Sequence, residues 1–349
     1  MSDTSKYTIC KNATIKEALV QLDKLSDDVL TLFVMDGARM VGTLTDGDIR
    51  RALIRDVSLD TNVEKIMHSG FKSISPDEKN IQRIRDIKKT GIQLLPCLGS
   101  NGELIKIYNL KNKKSVLPID AVLMAGGKGE RLRPLTEKIP KPLLPVGNKS
   151  IIDHNVDNLI SYGIEDIHVT TNYLAEQIEQ HFEQERQGIK IACVRERKYL
   201  GTIASVKLIP TLKHDEILVM NSDLFTNIDY EDFYRHFIEK EADMSVAAIP
   251  YSINVPYGIF DLEGRNIRGV LEKPIYHHYA NAGIYLIRKK LLDLIPEDVF
   301  FNATDFIDML VSKGKTVVRY PLVGYWIDIG KPEDYRKAQD FVKHIVHDE

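Results

Sequence analysis

The chain has 349 residues, 28% of them charged, and a formal net charge of −3, which is typical of a globular protein large enough for two hydrophobic cores. Basic and acidic residues are interspersed, so the composition argues against nucleic acid as a partner. We expect no signal peptide and no membrane span, because no apolar run approaches about 18 residues. Three scattered cysteines indicate neither a disulfide framework nor a zinc site, and we expect a reduced, cytoplasmic protein.

A polar, lysine-rich stretch around residues 110–120 divides the chain. Before it lies a weak internal repeat. In each unit an amphipathic helical stretch is followed by a hairpin, with its turn at Asp36-Gly37 in the first unit and at Asn101-Gly102 in the second. We expect the following domains: a repeat domain at 1–115 with units at about 1–62 and 63–112, a linker at 116–119, and a second domain at 120–349.

The first unit closes with "VGTLTDGD", and the repeat domain resembles a tandem pair of CBS domains, which are small βαβ modules. Gly42, Thr45 and Asp48 match the positions where that family holds a ribose, so the resemblance implies a regulatory nucleotide at Thr45 and Asp48. Alternatively, these two residues cap the following helix. The second unit lacks the pattern, and the pair could instead serve assembly.

From Asp120 onward, short apolar runs alternate with helical stretches, which predicts βαβ units. We therefore expect an α/β fold: a doubly wound, Rossmann-like domain with a mainly parallel mixed sheet. In such sheets ligands lie beyond the carboxyl ends of the strands. The segment beyond the first strand, "AGGKGERLR", is the first candidate for a binding loop.

This loop fits neither common phosphate-binding motif. It lacks the lysine and hydroxyl of GxxxxGK[ST], and Leu132 stands where GxGxxG requires a third glycine. Its glycines nevertheless leave backbone N–H groups open to a phosphate chain. Lys128, Arg131 and Lys141 add positive charge around it.

The stretch "LMAGGKGERLRPLTEKIPKPLLPVGNKSIIDH" resembles the signature of the sugar-1-phosphate nucleotidylyltransferases, and the similarity extends from about Asp120 to the C-terminus. The resemblance implies attack of a sugar-1-phosphate on the α-phosphorus of a nucleoside triphosphate, which gives a nucleotide sugar and pyrophosphate. Such a transfer mainly requires cations and a metal ion to align and neutralise two anions.

The resemblance also implies roles for individual residues. The catalytic residues would be Arg131, Lys141 and Asp223. Mg²⁺ would be bound by Asp223 and Asp328. The nucleotide would be bound by Ala125, Gly126, Gly127, Lys128, Gly129, Glu196 and Gly201. The sugar phosphate would be bound by Glu272, Lys273, Asn281 and Gly283. Taken singly, Asp223 could equally cap a strand end and Lys273 could be a solvated lysine.

Glu196 indicates which nucleotide base is bound. It lies five residues before Gly201, at a position where relatives that use uridine or thymidine triphosphates commonly have glutamine. An ionised glutamate only accepts hydrogen bonds, and guanine offers paired N1–H and N2–H donors. We therefore expect GTP. The alternative is that Glu196 is a solvated loop residue.

The CBS pair followed by this transferase resembles the glucosamine-1-phosphate guanylyltransferases of legionaminic acid synthesis. That resemblance implies glucosamine-1-phosphate as the second substrate. Alternatives are guanylyltransferases for a mannose- or heptose-1-phosphate, uridylyl- or thymidylyltransferases for glucose-1-phosphate, and a nucleotide sensor without turnover. Because CBS pairs commonly associate, we expect a homo-oligomer, either a dimer or a tetramer.

Overall fold

A computed structural model describes residues 4–76 and 78–345 of the chain. The ends of the two predicted domains, residues 1–3 and 346–349, lie outside this description. The chain divides into two compact units: unit 1 comprises Met1–Pro118 and Ile160–Ile164, and unit 2 comprises Ile119–Leu159 and Glu165–Glu349. Within the described ranges, no helix is both long enough and apolar enough to cross a membrane.

Unit 1 is a small α/β structure with two hairpins. Its strands and helices are β1 (Thr8–Cys10), α1 (Ile15–Asp23), β2 (Thr31–Asp36), β3 (Arg39–Thr45), α2 (Asp46–Ile54), α3 (Ile81–Lys89), β4 (Leu94–Leu98) and β5 (Leu104–Asn109). Strand β2 lies between a parallel β1 and an antiparallel β3, and β4 pairs with β5 antiparallel. Gly37 and Gly102 adopt positive φ of 62° and 80° at the two hairpin turns, as the turn sequences predict.

Unit 2 contains the larger sheet. Its strands are β6 (Asp120–Ala125), β7 (Pro145–Val146), β8 (Lys149–Ser150), β9 (Asp166–Thr171), β10 (Ala192–Arg195), β11 (Glu216–Asn221), β12 (Leu224–Thr226), β13 (Met244–Asn254), β14 (Ile259–Glu263), β15 (Asn266–Leu271), β16 (Ile275–Arg288), β17 (Val317–Pro321) and β18 (Trp326–Asp328). Its helices are α4 (Ile151–Ser161, of which the last two residues belong to unit 1), α5 (Ala175–His181), α6 (Tyr230–Glu239), α7 (Ala303–Ser312) and α8 (Pro332–Ile345).

Seven strands form one sheet in the order β10-β9-β6-β11-β16-β13-β17. Only β16 runs antiparallel to its neighbours, so the sheet is mixed and mainly parallel. The predicted fold class is therefore confirmed. Because β6 and β11 are adjacent and parallel, the residues that follow Ala125 and Asn221 meet at the same edge of the sheet.

One predicted element differs from the structure. The apolar spacing of "TIASVKLIP" at residues 202–210 predicts a helix, but the stretch forms only a short 3-10 helix over Ala204–Leu208. Its hydrogen bonds join residues three apart, from the amide of Val206 to Ile203 and from Ile209 to Val206. These residues are β-branched and Pro210 follows them, so a regular α-helix is disfavoured.

Candidate active site

The loop after β6 allows a ligand to approach the backbone closely. A side chain at Gly126 would reach to 2.6 Å from the Glu196 carboxylate. Gly129 has a φ of +62°, and a side chain there would come within 3.0 Å of Thr136. Gly127, by contrast, has no heavy atom within 4 Å of the corresponding point. The backbone conformation therefore favours glycine at 129, and a side chain at 126 would displace the Glu196 carboxylate. At Gly127 the backbone is open to the cavity.

This cavity measures about 530 Å³, within the usual range for ligand sites. Its walls include Gly127, Lys128, Arg131, Lys141, Tyr199 and Asp223. A smaller pocket of about 120 Å³ shares several of these residues and adds Ala125, Gly201, Thr202 and Asn221. The loop, the phosphate-binding cations and the strand-end carboxylate predicted from the sequence thus surround one space.

Charged groups of opposite sign meet in this cavity. Lys141 forms an ion pair with Asp223, which follows β11, and its Nζ lies 4.0 Å from Oδ1 of Asp328. Asp328 is brought there by the pairing of β12 with β18, which sets it opposite Leu224. Arg131 is also close, since a side chain at Gly330 would lie 3.1 Å from its guanidinium. The structure therefore brings together all four residues to which catalysis and metal binding are assigned from the sequence.

The two carboxylates fit a divalent cation. Oδ1 of Asp223 is buried, and among the described residues it has no hydrogen-bond partner. Burial and the negative charge of Asp223 raise the pKa of Asp328. A cation would satisfy the first oxygen and relieve the repulsion between the two groups. Since Mg²⁺ prefers oxygen ligands and needs only one or two protein carboxylates beside phosphate, the donor set suits it.

The loop that carries Asp223 is held by a residue that sequence reasoning missed. Asn155 on α4 is buried, and its side-chain amide donates to the carbonyl oxygens of Leu224 at 2.8 Å and Ser222 at 3.4 Å. The amide of Ile329 donates to the carbonyl of Asp223 itself at 3.1 Å. Asn155 thus binds the backbone on both sides of Asp223. Its only signal in the sequence is a polar residue on the apolar face of a predicted helix.

Glu196 lies behind the glycine loop and is only 3% exposed, so it is not a solvated loop residue. Its Oε2 accepts a hydrogen bond from the amide of Leu200 at 2.9 Å, and Oε1 faces Gly126. Burial raises the pKa of Glu196, although hydrogen bonds from Leu200 and Thr170 act in the opposite direction. Gly201 follows with a φ of +86°, where a side chain would come within 2.6 Å of the Phe301 carbonyl.

Of the four residues predicted to bind the sugar phosphate, the structure places some beside the site and others away from it. Gly283 lies beside the smaller pocket, because a side chain there would come within 2.6 Å of the Asn221 amide. Asn281 binds within its own strand, donating to the Tyr285 hydroxyl and accepting from the Gly283 amide, each at 2.9 Å. Glu272 and Lys273 line neither cavity, and their side chains are 74% and 67% exposed.

Unit 1 contains a separate cavity of about 410 Å³, lined among others by Thr45, His68, Phe71 and Lys72. Thr45 and Asp48 form a capping box at the start of α2, as the alternative interpretation states. The Thr45 hydroxyl donates to the Asp48 carboxylate at 2.6 Å, and this carboxylate also accepts from the Thr45 amide. Thr45 therefore serves the helix and lines the cavity, whereas Asp48 is not among the lining residues.

Comparison with known families agrees with this geometry. The model of the nucleotidyl transferase family matches residues 120–344. The chain belongs to this family. A CBS domain model matches residues 3–55, which include Thr45 and Asp48. The nucleotidyl transferase unit therefore follows a CBS domain in the chain, as the sequence predicts.

Curated relatives include guanylyltransferases. The chain is 29% identical over 225 residues to a mannose-1-phosphate guanyltransferase beta-B of Xenopus laevis, which covers 62% of each protein. It is 28% identical over 232 residues to the D-glycero-alpha-D-manno-heptose 1-phosphate guanylyltransferase of Aneurinibacillus thermoaerophilus, with 65% of this chain and 100% of that protein covered. The chain thus spans about three fifths of the length of the Xenopus relative.

The fold also matches solved structures. The structure of HddC from Yersinia pseudotuberculosis complexed with GMP-PN is similar, with a TM-score of 0.50, 25% identity, and coverage of 64% of this chain and 99% of that one. A Bacillus anthracis chain in complex with a sucrose, described provisionally as a glucose-1-phosphate thymidylyltransferase, has the same TM-score and identity and covers 64% of this chain and 94% of its own.

Proposed function

We propose that the protein is a Mg²⁺-dependent, cytoplasmic enzyme that joins a sugar-1-phosphate to a nucleoside triphosphate. One observation carries this proposal. Asp223 and Asp328 both lie within 4.0 Å of the Lys141 Nζ, and Lys141 lines the same cavity as the glycine loop. A phosphate oxygen of the sugar-1-phosphate attacks the α-phosphorus. The bond from that phosphorus to the bridging oxygen of the β-phosphate breaks, and pyrophosphate leaves.

The residues of the cavity perform binding and charge neutralisation. The backbone between Gly126 and Gly129 holds the triphosphate, and Lys128 adds positive charge beside it. Arg131 and Lys141 neutralise the two anions that must approach one another, which is the main demand of this chemistry. Mg²⁺ held by Asp223 and Asp328 would supply additional positive charge to the phosphate oxygens.

For the base we propose guanine. Glu196 is buried with Oε1 facing Gly126, and an ionised carboxylate matches the N1–H and N2–H donors of guanine. The names of two relatives, a mannose- and a heptose-1-phosphate guanylyltransferase, support the same base. The provisional thymidylyltransferase among the similar structures makes dTTP the competitor to exclude.

A panel of five nucleoside triphosphates tests the base. We expect pyrophosphate release with GTP at least tenfold above that with UTP, dTTP or CTP, and a loss of that preference in Glu196→Gln. Exposed Glu185 provides the control, since Glu185→Gln should keep the wild-type preference. Preference of the wild type for a pyrimidine nucleotide would overturn guanine and leave the reaction class intact.

For the sugar we propose glucosamine-1-phosphate, supported by the combination of a CBS domain with this transferase. The relatives' names make mannose-1-phosphate and a heptose-1-phosphate the main competitors. A panel with GTP and these sugar phosphates, glucose-1-phosphate included, decides among them. A highest kcat/KM for glucosamine-1-phosphate is expected, and a higher value for any other sugar would contradict it.

We also propose that the domains divide at residues 116–119 and that the unit 1 cavity binds a regulatory nucleotide. Lys72 lines this cavity and can neutralise a phosphate, while Thr45 offers a hydroxyl. Calorimetric titration of the full chain with adenine and guanine nucleotides should show one unit 1 site that weakens in Lys72→Ala. The exposed Lys16→Ala variant should bind like the wild type. Equal binding by both variants would argue against the site.

A further inference from the structure

A hairpin in unit 2 exposes an apolar face. Strands β14 and β15 pair only with each other among the described strands, and nearly all of their residues are exposed. Phe260 lies opposite Val270, and Leu262 lies opposite Ile267. Because opposed residues share a face and alternate residues along a strand do too, these four side chains lie on one face. They are 54–57% exposed.

The same exposure continues into the ribbon that carries the hairpin. At the outer end of β13 and the start of β16, Tyr251, Ile253 and Tyr276 are 56%, 45% and 39% exposed. They share a face of that ribbon, because Ile253 lies opposite Tyr276 and Tyr251 is two residues away on its strand. We call residues 251–279, which comprise this ribbon end and the hairpin, the arm.

From this geometry we infer that the arm pairs two copies of this chain. Each half-exposed side chain offers on the order of 100 Å². The four residues of the hairpin face thus supply roughly 400 Å², and the three ribbon residues bring the total to roughly 700 Å². A standard interface takes about 800 Å² from each partner, so the arm provides most of the area that such a contact needs.

The charges of the arm favour a second copy as its occupant. Asp261 and Glu263 are balanced by Arg265 and Arg268, and Arg268 donates to Glu263 at 2.8 Å. A twofold contact places the same surface on both sides, so this surface must complement itself. A border with equal numbers of acidic and basic side chains can do so. A two-stranded hairpin is also only marginally stable in water, and its free edges can pair with another chain.

The test uses the full chain and one charge on the hairpin face. Leu262→Glu places two like charges at the twofold contact, whereas Val311→Glu puts the same charge on α7 at a residue of nearly equal exposure, 59% against 57%. Sedimentation velocity should show Leu262→Glu at half the wild-type mass, with Val311→Glu unchanged. If unit 1 also forms a contact between copies, the mass should fall from that of four chains to that of two.

Hydrogen exchange provides an independent reading. The amides of 259–271 should be protected in the wild type, lose protection on dilution, and exchange at least tenfold faster in Leu262→Glu at the same concentration. Both residues are exposed, so Val311→Glu should keep the wild-type melting temperature, and Leu262→Glu should match a wild type diluted until its protection is lost. A monomeric wild type, or a Leu262→Glu variant with wild-type mass and protection, would overturn the inference.

Discussion

Two carboxylate clusters lie at opposite ends of the same sheet, and they differ in whether their oxygens have hydrogen-bond donors. At the amino ends of β6 and β9, the potential ligand atoms of Asp120, Asp166 and His214 lie within 4.8 Å of one another. At the carboxyl ends, Asp223 and Asp328 face Lys141. Both groups contain residue types that bind metals, so composition does not distinguish them.

Hydrogen bonding does distinguish them. Both oxygens of the fully buried Asp120 accept backbone amides, from Lys213 at 3.1 Å and from His214 at 2.7 Å, and Lys213 also pairs with Asp166. Burial alone would raise the pKa of Asp120, but the His214 imidazole and these amides hold it below its usual value. The Asp223 carboxylate keeps a buried oxygen without such a donor in the described part of the chain. Satisfied carboxylates stabilise the fold, whereas unsatisfied ones are available to a ligand.

The largest expected effect is loss of activity in Asp223→Asn. Removing one charge from the proposed metal-binding pair should lower kcat for pyrophosphate release by about 10²–10³-fold. Without metal, two opposing effects act on the free energy of unfolding, because the variant relieves the repulsion with Asp328 and loses the ion pair with Lys141. A variant with wild-type kcat would place the chemistry elsewhere.

Asn155→Ala should have an intermediate effect. Without the two hydrogen bonds from the Asn155 amide to backbone carbonyls, the Asp223 loop is less well positioned, and the apparent dissociation constant for Mg²⁺ should rise at least tenfold. Asp157→Asn is the matched control on the same helix, since Asp157 pairs with Arg186 and not with this loop. The two variants should melt at similarly reduced temperatures, but only Asn155→Ala should weaken Mg²⁺ binding. An equal Mg²⁺ affinity in both would reduce Asn155 to a structural role.

Asp120→Ala should affect stability alone. Two part-buried backbone amides would lose their acceptor, which should cost about 2 kcal/mol in the free energy of unfolding by urea. The folded fraction should keep the wild-type kcat and Mg²⁺ dependence. A selective loss of activity would instead indicate that the amino-end cluster takes part in function.

Acid should destabilise the protein through satisfied carboxylates. Burial opposes ionisation of Asp153, but His181, Ser150 and Arg186 lower its pKa to about 2. Since the folded pKa lies below the unfolded value of about 3.8, the stabilisation is full above about pH 4 and is lost as the pH falls toward 2. In urea titrations, the free energy of unfolding should fall by roughly 2 kcal/mol less between pH 4 and pH 2 in Asp153→Asn than in the wild type. An unchanged slope would show that other groups govern acid unfolding.

Sequence reasoning found the fold and most of the cavity because those features are local. Turn glycines, alternating apolar runs and the loop signature each lie within a short stretch, and they predict the strand ends where Asp223 and Arg131 meet. Asn155 was missed because its role depends on a contact with residues about 70 positions away. The 202–210 helix was wrong because periodicity outweighed the β-branched residues in that stretch.

The roles of Glu272 and Lys273 stay predictions, and the reason is again distance along the chain. The resemblance assigns them to the sugar phosphate. A short motif, however, does not specify where the fold places the residues between β15 and β16. Both side chains are exposed and lie outside the two cavities. The stretch 258–274 predicts an added hairpin and a substrate-covering region. The structure contains the hairpin as β14 and β15, but these strands are exposed and line neither cavity.

The most direct test measures pyrophosphate release with Mg²⁺ and GTP across the sugar-1-phosphate panel, for the wild type, Asp223→Asn and Asp120→Ala. We predict release by the wild type and by folded Asp120→Ala, with near silence from Asp223→Asn. The proposed reaction would be contradicted by a wild type that binds GTP but releases no pyrophosphate with any sugar phosphate, or by equal rates in all three proteins.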